Sequence, residues 1–402
     1  MARPDIDTYV PLGAAARSTA LVRQSLHAVE RAAANLDQLI VFPAVAAEKW
    51  LPEAQVARLH KMTAEAGRDP KAMGLAFRCT ALGDKIQLVI EDEQGKKEEA
   101  INVFKKLVFQ DKVLMIFGPT LSNSAQAANP IAQASKTVVF GTSNTADGIT
   151  SIGDYVFRNS VTEADVLPET LKMAIKKGNI KKVAVLYGND DVFTKSGYDN
   201  FKKALADLNL PVTTTETFAK GDVDFKAQLT KIKAGNPDAI VLSALIAEGG
   251  PIMVQARQLG LNLPFIGGNG MNSVKVFDLA KDKSDGLYVG SPWSIENQTE
   301  TNRKFVVAYT AKYKMAPDQF AAQAYDALYI ATQALKAVKL SGNLAVDRTA
   351  LRDALPAVKW TGATGAFQFR RASDKAGKPA GYDAQQAAIV SVTQAGRFVI
   401  QK

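Results

Sequence analysis

The chain has 402 residues, 47% of them apolar and 22% charged, with a formal net charge of +9. That length exceeds what one hydrophobic core fills, so two lobes of a soluble globular protein are expected. No run reaches the roughly 18 unbroken apolar residues of a membrane span. The positive charge is dispersed in helical pairs such as Lys105-Lys106, Lys176-Lys177 and Lys202-Lys203. A concentrated basic stripe with interleaved aromatics is absent, which argues against a nucleic-acid partner.

Cys79 is the single cysteine, which excludes an intrachain disulfide, and both histidines, His27 and His60, precede it. His-based triads, cysteine nucleophiles and the usual zinc sites are therefore excluded from the bulk of the chain. Neither catalysis nor a metal or cofactor is expected.

In chain order, Met1 to Leu21 carries Arg3, Asp5, Asp7 and Arg17 where a signal peptide needs an apolar stretch, so no secretion signal is visible. A helix over 21–36, a strand over 39–42 and a helix over 53–66, ended by Gly67 and Pro70, follow. From Lys85 strands and helices alternate: strand 86–90, helix 97–109, strand 113–117, helix 125–134, strand 138–140 and a short strand at 155–158. The alternation restarts with helix 163–177, strand 183–187, helix 196–208, strand 212–218, helix 224–234, strand 239–242, helix 249–259 and strand 265–267. Tyr288 to Trp293 reads as a second extended crossing, followed by helices over 301–314 and 320–339 and a terminal β section from Gly362. Strand–helix alternation with Val/Ile/Leu runs predicts an α/β fold of parallel sheets covered on both faces. Repeated crossings predict two doubly wound lobes joined by a hinge, with a cleft between them.

Two hydroxyl-rich turns stand out. Gly118-Pro119-Thr120-Leu121-Ser122-Asn123-Ser124 follows one apolar strand, and Gly141-Thr142-Ser143-Asn144-Thr145 follows the next. Ligands of open parallel sheets bind outside the carboxyl ends of the strands, near helix N-termini, so these turns predict a carboxylate cradle. The bland alternative is ordinary helix capping by loop hydroxyls. Gly188 in Tyr187-Gly188-Asn189-Asp190 is followed by no Lys-Ser/Thr signature, so nucleotide binding is not expected.

Beyond those turns, Val89 to Gly95, Ser143 to Ala146, Val185 to Asp191, Ala324-Tyr325-Asp326-Ala327 and Thr361 to Gly365 recur in an order and spacing specific to one family. From Gly83 to the C-terminus the chain resembles the type I periplasmic solute-binding proteins of ABC importers, of the branched-chain amino acid (Leu/Ile/Val) group. The resemblance implies lobe 1 over 83–160 plus 292–342, lobe 2 over 161–291 plus 343–402, and an atypical segment over 1–82. It implies a non-enzymatic, monomeric, periplasmic protein that hands a small carboxylate to permease subunits. A cytoplasmic ligand-sensing regulator of the same fold is the rival reading, favoured by the absence of a visible signal peptide.

By position, the resemblance implies ligand carboxylate contacts from Ser122, Ser124, Ser143 and Thr145, with Asn123 and Asn144 as backbone donors. The family usually places an acid for the ligand ammonium after the strand at 265–267, where this chain has Gly268-Asn269-Gly270-Met271-Asn272. The ligand-proximal Tyr of the family's Asp-Tyr-Gly turn is replaced around Val192-Phe193. Phe193, Leu245, Ile246, Met271 and Trp293 are expected to form an apolar pocket suited to an aromatic or aliphatic acid, with Asn269 beside it. Glu248, Asp190 or Asp191 could still hold an ammonium, since a buried unpaired cation costs several kcal/mol. Tyr325-Asp326 is read as structural, and Gly365 as a turn residue of positive φ. Trp50-Leu51-Pro52 and Glu65 to Pro70 are similar to a fragment of luciferase-like monooxygenases, too short for a barrel. Segment 1–82 is thus read as a fusion or frameshift, leaving lobe 1 without its innermost strand unless Leu39 to Phe42 replaces it.

Overall fold

The computed structural model describes residues 73–79 and 86–402, apart from 376 and 378. The chain first builds β1 (Met73–Cys79), β2 (Ile86–Asp92), α1 (Lys97–Lys105), β3 (Met115–Phe117), α2 (Ser122–Ala134), β4 (Val138–Gly141) and β5 (Val156–Arg158). It then crosses to a second unit of α3 (Glu163–Gly178), β6 (Val183–Gly188), α4 (Val192–Asp207), β7 (Val212–Phe218), α5 (Lys226–Ala234), β8 (Ala239–Ser243), α6 (Ile246–Gln258), β9 (Phe265–Gly267), α7 (Lys275–Ala280) and β10 (Leu287–Ser291). A return crossing leads to α8 (Glu300–Tyr313), α9 (Gln319–Lys336), α10 (Leu344–Ala354), β11 (Lys359–Gly362), β12 (Gly365–Arg371) and β13 (Tyr382–Gln385). A third crossing ends in β14 (Ile389–Gln394) and β15 (Arg397–Ile400).

The strands assemble into two sheets, of order β11-β12-β13-β5-β4-β3-β1-β2 and β15-β14-β10-β9-β8-β6-β7. The β3, β4 and β5 strands run parallel, as do β7, β6, β8, β9 and β10. The second sheet carries apolar cores on both faces, one under α3 and α4 and one under α5 and α6. The first sheet is packed likewise, by α9 and α10 on one side and by α1 and α2 on the other. Uninterrupted apolar strands such as Met115-Ile116-Phe117 and Ile240-Val241-Leu242 follow from burial on both faces.

Two expectations are corrected. Residues 359–385 join the first sheet rather than the second lobe, because β13 pairs with β5 in parallel. Only β14 and β15 extend the second sheet, through antiparallel pairing of β14 with β10. The inner position of the first sheet is filled by β1, which pairs antiparallel with both β2 and β3. Leu39 to Phe42 lies outside the described residues, as do the helices expected over 21–36 and 53–66.

Asp326 of α9 ties the returning hairpin to lobe 1. Its Oδ1 accepts from Ala363 N at 3.0 Å and Trp360 Nε1 at 3.2 Å, and its Oδ2 from Thr364 N at 2.7 Å and Thr364 Oγ1 at 2.6 Å. Gly362 is required there because a Cβ would collide with that carboxylate, and Gly365 turns the hairpin with φ +94°. Asp326→Ala strands several buried donors at about 1–3 kcal/mol each, and a total loss of roughly 2–4 kcal/mol is expected in urea denaturation. Asp326→Asn retains one acceptor and loses less. Wild-type stability for the alanine variant would contradict the role.

Candidate functional site

Both hydroxyl-rich turns emerge from the carboxyl ends of neighbouring parallel strands, β3 and β4, and face the second lobe. Helix α2 starts at Ser122, three residues earlier than its apolar pattern suggests, with Leu121 as a cap that offers no side-chain bond. Ser122, Asn123 and Ser124 therefore occupy the first helical turn, whose N–H groups have no intrahelical acceptor. Ser122 Oγ accepts from Ala146 N at 3.3 Å, which joins the two turns. Asn144 Nδ2 donates to Pro119 O at 2.7 Å and reinforces that join.

The second turn is positioned by Arg158, which is 1% exposed. Its Nη1 donates to Asn144 O at 3.2 Å and Ala146 O at 2.9 Å, while its Nε pairs with Asp383 at 2.7 Å. Ser160 Oγ adds a 2.5 Å bond to Asn144 O. These contacts hold Ser143 and Thr145 toward the cleft. Ser143 Oγ donates to Gln323 Oε1 on α9 at 3.3 Å, and Gln323 Nε2 has no hydrogen-bond partner among the described residues.

Thr145 is the point where the lobes meet. Its Oγ1 lies 2.9 Å from Glu163 Oε1 and 3.4 Å from Asn269 Oδ1, and its carbonyl accepts from Glu163 N at 3.2 Å. Further links cross the cleft. Asn123 donates its side-chain amide to Asp191 and accepts from Val192 N at 2.8 Å. Ser196 Oγ accepts from Asp147 N at 2.9 Å, Asn200 Nδ2 donates to Asp147 at 2.8 Å, and Gln319 Nε2 donates to Asn269 O at 2.7 Å. The lobes are closed on one another.

Other expected site residues lie elsewhere. Ser124 Oγ donates to Glu93 Oε2 at 2.7 Å, so its hydroxyl serves lobe 1. Met271 is fully buried in the core of lobe 2, and Trp293 packs edge-on against Phe305 while donating Nε1 to Asn302 at 2.6 Å. Both are corrections to the expected pocket, since their surfaces are consumed by lobe packing; Ile246 likewise belongs to the lobe 2 core. Phe193 caps the cleft end of α4 against Gly270, where an added Cβ would stand 2.9 Å from the ring, and Leu245 is half-buried just before α6. The three acids offered for an ammonium are occupied. Asp191 caps α4 through Phe193 N and Thr194 N, Asp190 accepts from Lys220 N, and Glu248 accepts from Gly221 N.

Glu163 is the acid that the sequence reading missed. It follows the N-cap Thr162 and reads as an ordinary first-turn acid of α3, a favourable place beside the helix dipole. In the fold it is 1% exposed, and Oε2 has no hydrogen-bond partner among the described residues. Burial is the main cause that pushes its carboxyl up to about 8, against the opposing bond from Thr145 and the charge of Arg158.

The model of the family described as "Periplasmic binding protein" matches residues 47–397. The chain belongs to the periplasmic binding protein family. That is a family of binding proteins rather than enzymes, and its match begins well before Gly83, taking in the whole of the stretch likened to monooxygenases. A Leu/Ile/Val-binding protein of Citrobacter freundii is 28% identical over 61% of this chain, an alignment spanning 66% of the relative, just under two thirds of its length. A branched-chain amino acid substrate-binding protein of Streptococcus pneumoniae, solved with isoleucine, superposes with a TM-score of 0.70 at 28% identity, covering 87% of this chain and 94% of that one. A solute-binding protein of R. palustris solved with benzoate gives a TM-score of 0.70 at 22% identity, covering 87% and 90%, and shares the fold. Among the described residues no helix is long and apolar enough to cross a membrane.

Glu93, in the turn after β2, is a second buried acid beside the cleft. Burial holds its carboxyl at about 7, although Ser124 and Lys220 oppose the shift. A folded-state value above the usual 4.5 means that the folded protein binds the extra proton between about pH 4.5 and 7. Stability contributed by the neutral carboxyl is therefore lost as the pH rises through 7. Glu93→Gln should gain on wild type by roughly 1–3 kcal/mol between pH 5 and pH 8 in urea denaturation. Parallel profiles for the two proteins would remove Glu93 as a source of pH dependence.

Proposed function

We propose that this protein is the solute-binding component of an ABC importer and captures a small carboxylate between its lobes. The observation that carries the reading is the convergence of Ser122, Ser143 and Thr145 on the cleft rim, beside Gln323 Nε2, a donor with no partner among the described residues. Hydroxyl, amide and helix N-terminal donors suit an anion, and bonds to a charged acceptor are about twice as strong as neutral ones. The family membership and the named ligands of relatives, Leu/Ile/Val, isoleucine and benzoate, support a carboxylate of amino acid or aromatic acid type.

The binding cycle follows from the hinge. The open form exposes the turns after β3 and β4, and the ligand carboxylate docks on them. Lobe 2 then swings in on the three crossings, bringing Glu163, Asn269 and Phe193 over the ligand. Closure presents one joined surface of both lobes to permease subunits in the periplasm, and opening there releases the solute.

Thermal-shift screening of the full chain against leucine, isoleucine, valine, phenylalanine, benzoate and hydroxybenzoates tests this reading. A ligand at a hundred times its Kd adds about 2.7 kcal/mol of stability. In calorimetry Ser143→Ala and Thr145→Ala should each weaken the best ligand by roughly 1.5–3 kcal/mol, about ten- to a hundredfold in Kd. Unchanged affinity in both variants would refute the cradle.

A further inference from the structure

The first two turns of α4 form the foot on which lobe 2 stands against lobe 1. Val192 packs on a lobe 1 cluster of Ala125, Ala146, Ile149 and Val156. Beside that knob the Asn123 side chain grips the start of the helix. Its Oδ1 accepts from Val192 N at 2.8 Å, and its Nδ2 donates to Asp191 Oδ2. Asp191 turns its other oxygen to its own helix, accepting from Phe193 N at 2.9 Å and Thr194 N at 3.2 Å. One and two turns further along, Ser196 Oγ accepts from Asp147 N and Asn200 Nδ2 donates to Asp147. Asn123 and Asp191 are both buried. The oxygen and the nitrogen of the Asn123 side chain are thus spent on lobe 2, which leaves only its backbone N–H for a ligand.

We propose that the Asn123–Asp191 clamp is the latch of the closed form and sets how long a ligand stays, without either side chain touching that ligand. The inference rests on the binding reading above and adds a residue pair that tunes it. Release requires the lobes to part, and parting breaks the clamp together with the Val192 contact. The clamp therefore acts on the dissociation rate, whereas capture proceeds from the open form, in which it is already broken. Its bonds are the same whatever lies in the cleft, so it scales the affinity of every ligand by one factor. Ser143 and Thr145 differ in that respect, since their contribution depends on the acceptors a ligand offers.

The chemistry of the pair allows a reciprocal exchange. In a chain carrying both Asn123→Asp and Asp191→Asn, the amide at position 191 caps α4 with its oxygen and donates its nitrogen back across the cleft. The carboxylate at position 123 accepts that bond and the one from Val192 N. Every bond of the clamp is remade with its polarity reversed. Asn123→Asp alone sets two buried carboxylates against each other, and like charges so close raise each other's proton affinity. Asp190 and Glu248 add to that repulsion, while Lys220 opposes it. Lys220 itself crosses the cleft, donating Nζ to Gly95 O at 3.3 Å, and its charge also bears on Glu93. Lowering the pH lets the two carboxylates share a proton and the lobes close again.

Stopped-flow kinetics of the full chain at pH 8 test the latch, with the two tightest binders among leucine, phenylalanine and benzoate as probes. Asn123→Ala should raise koff about ten- to a hundredfold, the worth of a hydrogen bond to a charged group, and leave kon within a few-fold. Both probes should lose the same factor. Asn123→Asp should raise koff at least as far and recover toward wild type at pH 5, which the alanine variant should not do. The exchanged pair should return koff to within a few-fold of wild type at pH 8. The alanine and pH arms do not need the exchange, so a misfolded double variant leaves the test intact. Unchanged koff in Asn123→Ala, or a folded exchanged pair that releases as fast as Asn123→Asp, would overturn the proposal while sparing the carboxylate cradle. Should none of the probes bind, the proposed function fails and small-angle scattering decides for the latch. Asn123→Asp should then enlarge the radius of gyration and the exchanged pair restore it; identical radii would overturn the latch as well.

Discussion

The hydroxyl of Thr145 can meet a carboxylate of the opposite lobe only because Arg158 fixes the turn on which it stands. That guanidinium is buried, bonded to two carbonyls of the turn and paired with Asp383 of β13, which also accepts from Thr150 at 2.7 Å. An arginine fork suits this task, since it can satisfy planar acceptors on two sides at once. Lobe 1 thus presents a preorganised rim: loop, hinge strand and returning hairpin strand are tied at one point. Lobe 2 supplies the movable half, Glu163 and Asn269, from elements that follow the crossing.

Many of the contacts across the cleft are polar, beside the packing of Val192 against a small lobe 1 cluster of Ala125, Ala146, Ile149 and Val156. Asn123 with Asp191, Asp147 with Ser196 and Asn200, and Gln319 with Asn269 exchange bonds to water for bonds to protein. Each such exchange nets about 0.5–1.5 kcal/mol between neutral groups and about 1.5–3 kcal/mol to a charged one. Open and closed forms built this way lie close in free energy, and a ligand that bonds to both lobes shifts the balance by its differential affinity. A large apolar interface would have locked the lobes together instead. The apolar surface is spent inside each lobe, where Met271 and Trp293 are found.

Much of the scaffold is legible in the chain itself. Apolar runs buried on both faces, as in β6, β8 and β4, are visible without any partner. The start of α4 is less so: Asp191 reads as part of a turn, although it is the cap that begins the helix four residues before the apolar pattern does. The start of α2 carries no side-chain cap at all, so its three polar residues look like loop. Residues 359–385 read as strands, but which sheet they join is decided by pairing with β5, a contact across more than half the chain. Glu163 shows the same limit at the site. Nothing local distinguishes it from a surface acid at a helix N-terminus, and its burial arises only when the hinge folds it against Thr145.

The central claim is that the turns after β3 and β4 grip an anion while the opposite lobe covers it. A crystal structure of the protein grown with its tightest-binding carboxylate tests this most directly. The account predicts the ligand carboxylate within about 3 Å of the hydroxyls of Ser143 and Thr145, at ordinary hydrogen-bond reach, with Glu163 closed over it. Ligand density anywhere outside the cleft, or a bound carboxylate turned away from those two hydroxyls, would contradict it.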